Sequence, residues 1–312
     1  MRPPDRPHPL GPSTASPTPA PRVPARARRP VPAVVRVPAA LARACHPLPT
    51  VAVTVLVTAL AVTAGRSGPD CAVVAAAVLT GQLSVGWSND AVDARRDLRA
   101  GRADKPVASG AVSARTAWVA AWSALALCVP LSLVCGALAG AAHLVFVAAG
   151  WAYNLGVKAT VWSWLPYAAG FGALPAFIAL GSPGHPPPAW WAVGAAALLG
   201  VGAHLADALP DIDEDLRAGV RGGPQRIGPT GVRLLLPLPP AAATALLVPV
   251  PPGPEGVLGR VAVALVVGAV LGGAVAAGRR TDRPRPRGPF VAVVAVAAAD
   301  VALLVARGAS IA

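Results

Sequence analysis

The sequence is poor in charged residues, which make up 13% of its 312 residues, whereas hydrophobic residues make up 54%. Its mean hydropathy is +0.58. Ordinary soluble domains carry about 25% charged residues. The shortage of charge therefore excludes a typical soluble globular protein and predicts one that lies largely in a lipid bilayer.

Cysteine is also rare, and no two of the four cysteines show CxxC spacing. Most of them lie in apolar surroundings. This pattern excludes a disulfide framework and gives no indication of a zinc site. Buried, inert thiols are expected at Cys45, Cys71, Cys128 and Cys135.

The first 45 residues lack a continuous apolar run and are rich in Pro, Arg and Ala. A signal peptide needs such a run, so none is predicted here. The pair Arg28-Arg29 is not followed by the apolar region of a twin-arginine export signal. The composition predicts a disordered cytoplasmic tail over 1–45, followed by a transmembrane domain over 46–312.

Most of the remaining chain consists of long apolar segments. A helix needs about 20 mostly apolar residues to cross a bilayer core. Nine segments of suitable length can be placed, at about 50–66, 70–88, 115–136, 139–155, 161–180, 189–206, 231–250, 257–277 and 289–306. The sequence thus predicts an all-α polytopic membrane protein with nine transmembrane helices.

The basic residues predict the orientation of these helices. With the N-terminus in the cytoplasm, every Lys and Arg except Arg66, Arg260 and Arg307 falls on the inner side, as the positive-inside rule requires. The net charge of +13 then reflects topology and affinity for anionic lipid. No soluble basic face suggests a nucleic-acid partner. The Ala, Gly, Val, Pro and Arg bias is typical of a high-GC bacterial genome, hence a bacterial plasma membrane.

Acidic residues are few, but nine of the 14 lie between residues 90 and 104 or between 207 and 215. The first group follows an apolar segment and begins with Asn89. At about 100° per residue, Asp90, Asp93 and Asp97 share one face of a helix. The second group has a spacing of four, at Asp207, Asp211 and Asp215, although Pro210 is able to break the helix there.

Carboxylates next to hydrocarbon are costly, about 2.5 to 3.5 kcal/mol each at mid-helix on insertion scales. Several on one face repel one another unless a cation lies between them. One such group alone is equally well explained by solvated loop acids that balance arginines. Two regularly spaced groups on one side of a membrane favour a shared Mg²⁺ site, and Mg²⁺ usually bridges to substrate phosphates. A phosphorylated substrate is implied.

The pattern NDxxDxxxD resembles the first signature of the UbiA superfamily of intramembrane prenyltransferases. It spans Asn89 to Asp97 and continues into Arg102, Asp104, Lys105-Pro106 and Ser109-Gly110. The stretch from Asp207 to Gly219 resembles the second signature, DxxxD. The resemblance covers about residues 45–306. It implies nine helices around a central cavity that holds an isoprenyl tail, with two Mg²⁺ ions gripping its diphosphate.

The resemblance also implies roles for individual residues. One Mg²⁺ would be held by Asn89, Asp90, Asp93 and Asp97, and the other by Asp211 and Asp215, with Asp207 as an additional ligand. Asp90, Asp93, Asp211 and Asp215 would form the catalytic set, and the diphosphate would be bound by Arg102, Lys105, Tyr153 and Lys158. A positive-inside anchor is the alternative role for Lys158.

The chain departs from its relatives at two basic positions. Lys105 stands where many relatives carry Arg, so a bidentate grip on phosphate becomes a point charge. Ala159 follows Lys158 where relatives often have a second basic residue. Fewer cationic contacts to the diphosphate are therefore expected here than in those relatives.

Other residues fit a dry pocket around a carbocation, for which aromatic faces are suited. Trp87, Tyr153 and Phe171 are the predicted lining. His143 and His204 lie within or at the end of apolar spans without a partner at metal spacing. They are predicted to be hydrogen-bonded helix-packing residues.

The favoured hypothesis is Mg²⁺-dependent transfer of a prenyl group from an isoprenyl diphosphate to an aromatic or other lipid-destined acceptor. A UbiA-type terpene cyclase, which needs no acceptor, is the alternative, because the cavity wall decides between them. A cation transporter or channel would carry its acids nearer the bilayer midplane. A soluble-type prenyl synthase is at odds with nine apolar spans.

Overall fold

A computed structural model of the chain describes residues 33–102, 104–248, 288–307 and 311, with short pieces between 260 and 273. Within these residues the regular elements are helices joined by short turns. They are α1 (Ala33–Ala44), α2 (Pro47–Thr63), α3 (Gly68–Arg99), α4 (Ala114–Val134), α5 (Ala137–Leu155), α6 (Leu165–Leu180), α7 (Trp190–Ala208), α8 (Ile212–Arg217), α9 (Gly223–Leu235), α10 (Leu238–Leu247) and α11 (Gly288–Arg307).

Five spans are long and apolar enough to cross a membrane: α3, α4, α5, α11 and the stretch Trp190–Arg217 that α7 begins. Two bent pairs raise the number to seven if each counts as one span, and these are α1 with α2, bent by 67°, and α9 with α10, bent by 46°. Helix α6 is apolar but shorter. The described part of the chain therefore shows a polytopic, all-α architecture.

Most predicted spans coincide with a helix, and the span predicted at about 231–250 falls on a bent pair of helices. The chain forms α9 and α10 there, starting at Gly223, and α9 is itself kinked at Gly228, whose φ is 80°. Most of the predicted span 257–277 lies outside the described residues. So does most of the predicted tail, although its last part, Ala33–Ala44, is helix α1.

The break between α1 and α2 places the backbone around Cys45 close to α3. His46 adopts a left-handed conformation with a φ of 55°, and Pro47 occupies the first position of α2, where its fixed φ suits a helix start. Gly86 of α3 lies against this break, and a Cβ there would come within 2.6 Å of the Cys45 carbonyl oxygen. A glycine at this position is what permits the close approach.

The helices surround a set of internal cavities. Helix α3 packs against α2, α4 and α5, the series continues through α6 and α7, and α11 contacts both α7 and α2 to close the ring. We name three neighbouring cavities by their lining: a polar chamber of about 340 Å³, a middle chamber of about 150 Å³ and a distal chamber of about 120 Å³. Phe290 of α11 borders all three.

Candidate functional site

The first acidic motif forms the last turns of α3, because this helix continues unbroken to Arg99. Asp90, Asp93 and Asp97 are 1%, 6% and 2% exposed. The prediction that they share one face is confirmed, and that face points into the bundle. Burying carboxylates is costly unless cations or hydrogen-bond donors accompany them.

Two lysines from different loops provide that charge. Lys105 Nζ lies 2.8 Å from Asp90 Oδ1, and Lys158 Nζ lies 2.6 and 2.7 Å from the two oxygens of Asp93. Burial lowers the pKa of the Lys158 ammonium, while the Asp93 carboxylate acts in the opposite direction. Lys158 therefore contacts the acidic motif directly, which a simple positive-inside anchor would not require.

Asn89 is held in place by a neighbour on α5. Its Nδ2 donates to Asn154 Oδ1 at 3.1 Å, and Asn154 Nδ2 donates in turn to Ser88 Oγ at 2.9 Å. This orientation leaves Asn89 Oδ1 facing Lys105 Nζ at 3.5 Å. The amide oxygen therefore joins the carboxylates on the same side of α3.

The second motif begins where α7 ends. Pro210 lies in a short 3₁₀ turn, Leu209–Asp211, which separates α7 from α8, so the predicted break is confirmed. Asp207 accepts a hydrogen bond from the Tyr167 hydroxyl at 3.0 Å. Asp215 accepts one from Gln225 Nε2 at 2.8 Å.

Two arginines connect the motifs. Arg96 contacts Asp93 at 2.8 Å and Asp215 at 3.8 Å. Arg102 lies 3.9 Å from Asp97 and 3.4 Å from Asp211. The two motifs thus lie close together at one end of the bundle, where the sequence predicted that they would face each other.

Both motifs face the polar chamber. Of the residues predicted to bind metal or diphosphate, all except Asp97 line this chamber. They are Asn89, Asp90, Asp93, Arg102, Lys105, Tyr153, Lys158, Asp207, Asp211 and Asp215. Asp97 lies behind this wall, where it contacts Arg96 and Arg102 at 3.9 Å each. Asp97 therefore contacts two arginines, whereas Asp90 and Asp93 on the same helix border the chamber.

The donor set suits Mg²⁺ without forming a closed cage. Within the described ranges, no three carboxylate, imidazole or thiol side chains converge as a preformed metal site, because lysines and arginines separate the carboxylates. The available ligands are carboxylate and amide oxygens, which a hard cation prefers. Asp90 Oδ2 is buried and has no hydrogen-bond partner among the described residues. An oxygen in that state fits a cation that retains waters and substrate oxygens.

The middle chamber carries the aromatic side chains. Tyr153 and Tyr167 meet edge to face with ring centroids 5.1 Å apart, and Phe171 stacks on Tyr167 at 6.3 Å. Tyr153 and Phe171 line this chamber as predicted. The prediction for Trp87 is wrong: its Nε1 donates to the Leu41 carbonyl of α1 at 2.8 Å, and it lines none of the three chambers.

The histidines and cysteines behave as helix-packing residues. His143 Nδ1 lies 2.7 Å from Ser132 Oγ, and His204 Nε2 lies 3.1 Å from Ser163 Oγ, so each pairs with a hydroxyl on another part of the chain. All four cysteines are free and buried. These observations confirm both sequence predictions.

The family assignment follows from comparison with known proteins. Residues 48–299 match the family model described as the UbiA prenyltransferase family. The chain belongs to the UbiA prenyltransferase family. It is accordingly a multi-pass membrane protein of an enzyme family. No functionally curated protein matches it significantly.

Solved UbiA structures share its fold. A UbiA homolog from Aeropyrum pernix K1 superposes with a TM-score of 0.66 at 22% identity, covering 82% of this chain and 97% of that one. A homolog from Archaeoglobus fulgidus bound to DMAPP and Mg²⁺ gives 0.61 at 19% identity, covering 85% and 98%. The same homolog bound to GPP and Mg²⁺ gives 0.63 at 19%, covering 85% and 97%. At these identities the likeness establishes the fold.

Sequence reasoning missed several residues of this UbiA site. Arg96 counted only toward topology, yet it joins both motifs, and its place within the first motif was a usable signal. His46 Nε2 lies 3.2 Å from Lys105 Nζ. Gln225 on the next helix holds Asp215, and Tyr167 on α6 holds Asp207. For these three residues the spacing along the chain carried no information, because their contacts arise from tertiary packing.

Proposed function

We propose that this protein transfers a prenyl group from an isoprenyl diphosphate to an aromatic or other lipid-destined acceptor, with Mg²⁺ as cofactor. The supporting observation is the shared polar chamber, in which both acidic motifs meet Lys105, Lys158, Arg96 and Arg102. Apolar chambers adjoin it on the inside of the ring. A ligand with an anionic head and a hydrocarbon tail suits this arrangement.

The oxygen ligands divide between the two motifs. One Mg²⁺ would be held by Asn89, Asp90 and Asp93, and Asp97 lies behind these three. The other Mg²⁺ would be held by Asp211 and Asp215, together with Asp207. Bound Mg²⁺ would act as a Lewis acid that neutralises the negative charge of the diphosphate leaving group.

Three basic side chains and one tyrosine act on the same group. Lys105, Lys158, Arg102 and Tyr153 bind the diphosphate oxygens and orient them, and the cations stabilise the negative charge that builds up as the allylic C–O bond breaks. Lys105, Lys158 and Arg102 also pair with carboxylates of the two motifs. These three cations would exchange contacts with the carboxylates for contacts with the diphosphate.

The apolar chambers accept the tail. Tyr153, Tyr167 and Phe171 present aromatic faces beside the point where the polar chamber ends, and such faces stabilise a nearby cation. The wall excludes water, which would otherwise capture a carbocation. An acceptor at this junction attacks the allylic carbon and then loses a proton.

The topology completes the proposal. We infer nine transmembrane helices, a cytoplasmic N-terminus preceding the first span, and a polar chamber that opens to the inner face of a bacterial plasma membrane. The excess of Lys and Arg on that side supports this orientation and suits contact with anionic lipid.

Two carboxylate variants test the function. Asp90→Asn and Asp211→Asn should each lower Mg²⁺-dependent diphosphate release by about 100-fold or more, the scale of losing one electrostatic contact to a developing charge. Asp213→Asn is the matched control, because Asp213 lies within the second motif but is exposed and borders none of the chambers. Release at the wild-type rate in both test variants would refute the assignment.

The acceptor requires a separate assay. Membranes supplied with prenyl diphosphates, with and without aromatic acids, should form prenylated product only when an acceptor is present, as seen by mass spectrometry. A cyclic hydrocarbon formed from geranylgeranyl diphosphate and Mg²⁺ alone would instead support the cyclase.

A further inference from the structure

A buried acid interrupts the otherwise apolar distal chamber. Asp300 of α11 is 1% exposed. Among the described residues that line this chamber it is the one polar side chain, and its neighbours there are Ala, Val, Leu, Ile, Phe and Pro. It is far from the acidic motifs and plays no part in the chemistry proposed above.

Thr244 of α10 is its hydrogen-bond partner. The Thr244 hydroxyl oxygen lies 2.9 Å from Asp300 Oδ1 and 3.2 Å from Oδ2. It also lies 3.2 Å from the carbonyl oxygen of Pro240, one helical turn earlier. Thr244 itself is 5% exposed, so its hydroxyl is shielded from solvent.

One hydroxyl cannot satisfy all three oxygens, since it carries a single proton. If the Thr244 proton goes to the Pro240 carbonyl, Asp300 must donate its own carboxyl proton to Thr244, and the carbonyl oxygen of Asp300 then lacks a donor. If the Thr244 proton goes to one carboxyl oxygen of Asp300, the other carboxyl oxygen lacks a hydrogen-bond partner. In either case Asp300, which lines the chamber, keeps an under-satisfied carboxyl oxygen, and such a group is costly to cover with hydrocarbon.

The depth of this oxygen matters for an isoprenoid tail. Phe290, which borders the polar chamber, and Asp300 lie on the same helix ten residues apart, or about 15 Å at the α-helical rise of 1.5 Å per residue. A tail that enters beside Phe290 reaches Asp300 only if it is long enough. A shorter tail leaves room for water or a polar group at the carboxyl.

We propose that Asp300, with Thr244, limits the length of the donor tail: tails that end before Asp300 bind well, and tails that must cover it are selected against. This inference rests on the proposed function, because it assumes a prenyl diphosphate in the chambers. It assigns a specificity-determining role to two residues outside the acidic motifs and favours the shorter prenyl diphosphates as donors.

Three variants separate polarity from size. Asp300→Leu replaces the carboxyl with an apolar group of similar shape, and Thr244 keeps a partner in Pro240. Asp300→Asn keeps both shape and polarity. Thr244→Val is isosteric but removes the hydroxyl, so that Asp300 is satisfied even less well and discrimination should sharpen.

Affinity measured in detergent with Mg²⁺, for dimethylallyl, geranyl, farnesyl and geranylgeranyl diphosphates, gives the readout without needing an acceptor. In the wild type, affinity should rise with each added isoprene unit only up to a certain tail length. In Asp300→Leu this rise should continue to longer tails, so that the next longer donor binds about tenfold more tightly than it does to the wild type, as expected when a polar group with too few partners is removed. Asp300→Asn should keep the wild-type limit.

Several results would overturn the inference. An identical length profile in the wild type and Asp300→Leu would do so, as would Asp300→Asn matching Asp300→Leu, because polarity would then be irrelevant. Should Asp300→Leu not fold, Thr244→Val decides alone, and an unshifted profile there refutes the idea. If none of the donors binds to any variant, the proposed function itself fails, a result distinct from tight binding without a length limit.

Discussion

The guanidinium of Arg102 lies 3.4 Å from Asp211 Oδ2, although the two residues are 109 positions apart in the chain. The same side chain is 3.9 Å from Asp97 and 3.7 Å from Glu214. A planar fork with five donors is suited to serve several carboxylates at once. Arg102 therefore bridges the two acidic motifs as well as contributing charge.

Arg102→Lys should accordingly impair the enzyme despite keeping the charge. A point charge cannot span both motifs, so we expect a loss of about tenfold in the rate of diphosphate release, with a lower melting temperature. Arg99→Lys is the control, because Arg99 is exposed at the end of α3. Equal activity of the two variants would show that charge alone suffices at Arg102.

Lys158 and Mg²⁺ are expected to compete for Asp93, whose two oxygens Lys158 Nζ contacts at 2.6 and 2.7 Å. Lys158→Met should therefore produce opposite shifts. The KM for the prenyl diphosphate should rise about tenfold, because a charge-assisted contact to phosphate is lost. The Mg²⁺ concentration for half-maximal rate should fall, because Asp93 no longer has this cationic partner.

Arg217→Met provides the matched control for Lys158, since it removes one exposed positive charge from the same end of the bundle. Neither quantity should change in that variant. A rise of both KM and the Mg²⁺ requirement in Lys158→Met would mean that Lys158 assists metal binding, contrary to the competition proposed here.

Some of the site could be read from the sequence because helix geometry fixes it. Asp90, Asp93 and Asp97 lie on a single continuous helix, so a spacing of three and four determines their common face. Pro210 likewise marked the end of α7, because proline removes a backbone donor and clashes with the preceding turn. Local rules were sufficient in both cases.

Contacts between distant elements could not be read in this way. The link from Arg96 to Asp215 depends on how α8 is placed against α3. Trp87 has the right residue type and neighbourhood for the middle chamber, but its indole points at α1. Apolar runs also do not show where they bend, although Gly228 followed by Pro229 was a usable sign of the kink in α9.

We predict that Asp97 is a positioning residue and that it does not bind the metal directly. It borders none of the three chambers and contacts Arg96 and Arg102. Asp97→Asn should thus lower the rate of diphosphate release while leaving the Mg²⁺ concentration for half-maximal rate within about twofold of wild type, since a group outside the first coordination sphere tunes more than it binds. Asp93→Asn, measured in parallel, should raise that concentration strongly. Parallel behaviour of the two variants would restore Asp97 as a direct ligand.

The hydroxyl of Tyr167 donates to Asp207 at 3.0 Å, at a place where Asp207 borders both the polar and the middle chamber. Removing one hydrogen bond to a charged group costs about 1.5 to 3 kcal/mol. Because only part of this cost falls on the reaction, Tyr167→Phe should lower the rate of diphosphate release by about three- to tenfold. The ring itself remains, so donor affinity should be nearly unchanged, whereas Tyr167→Ala should weaken it by opening the aromatic wall. Equal donor affinities in Phe and Ala variants would show that the ring does not contact the tail.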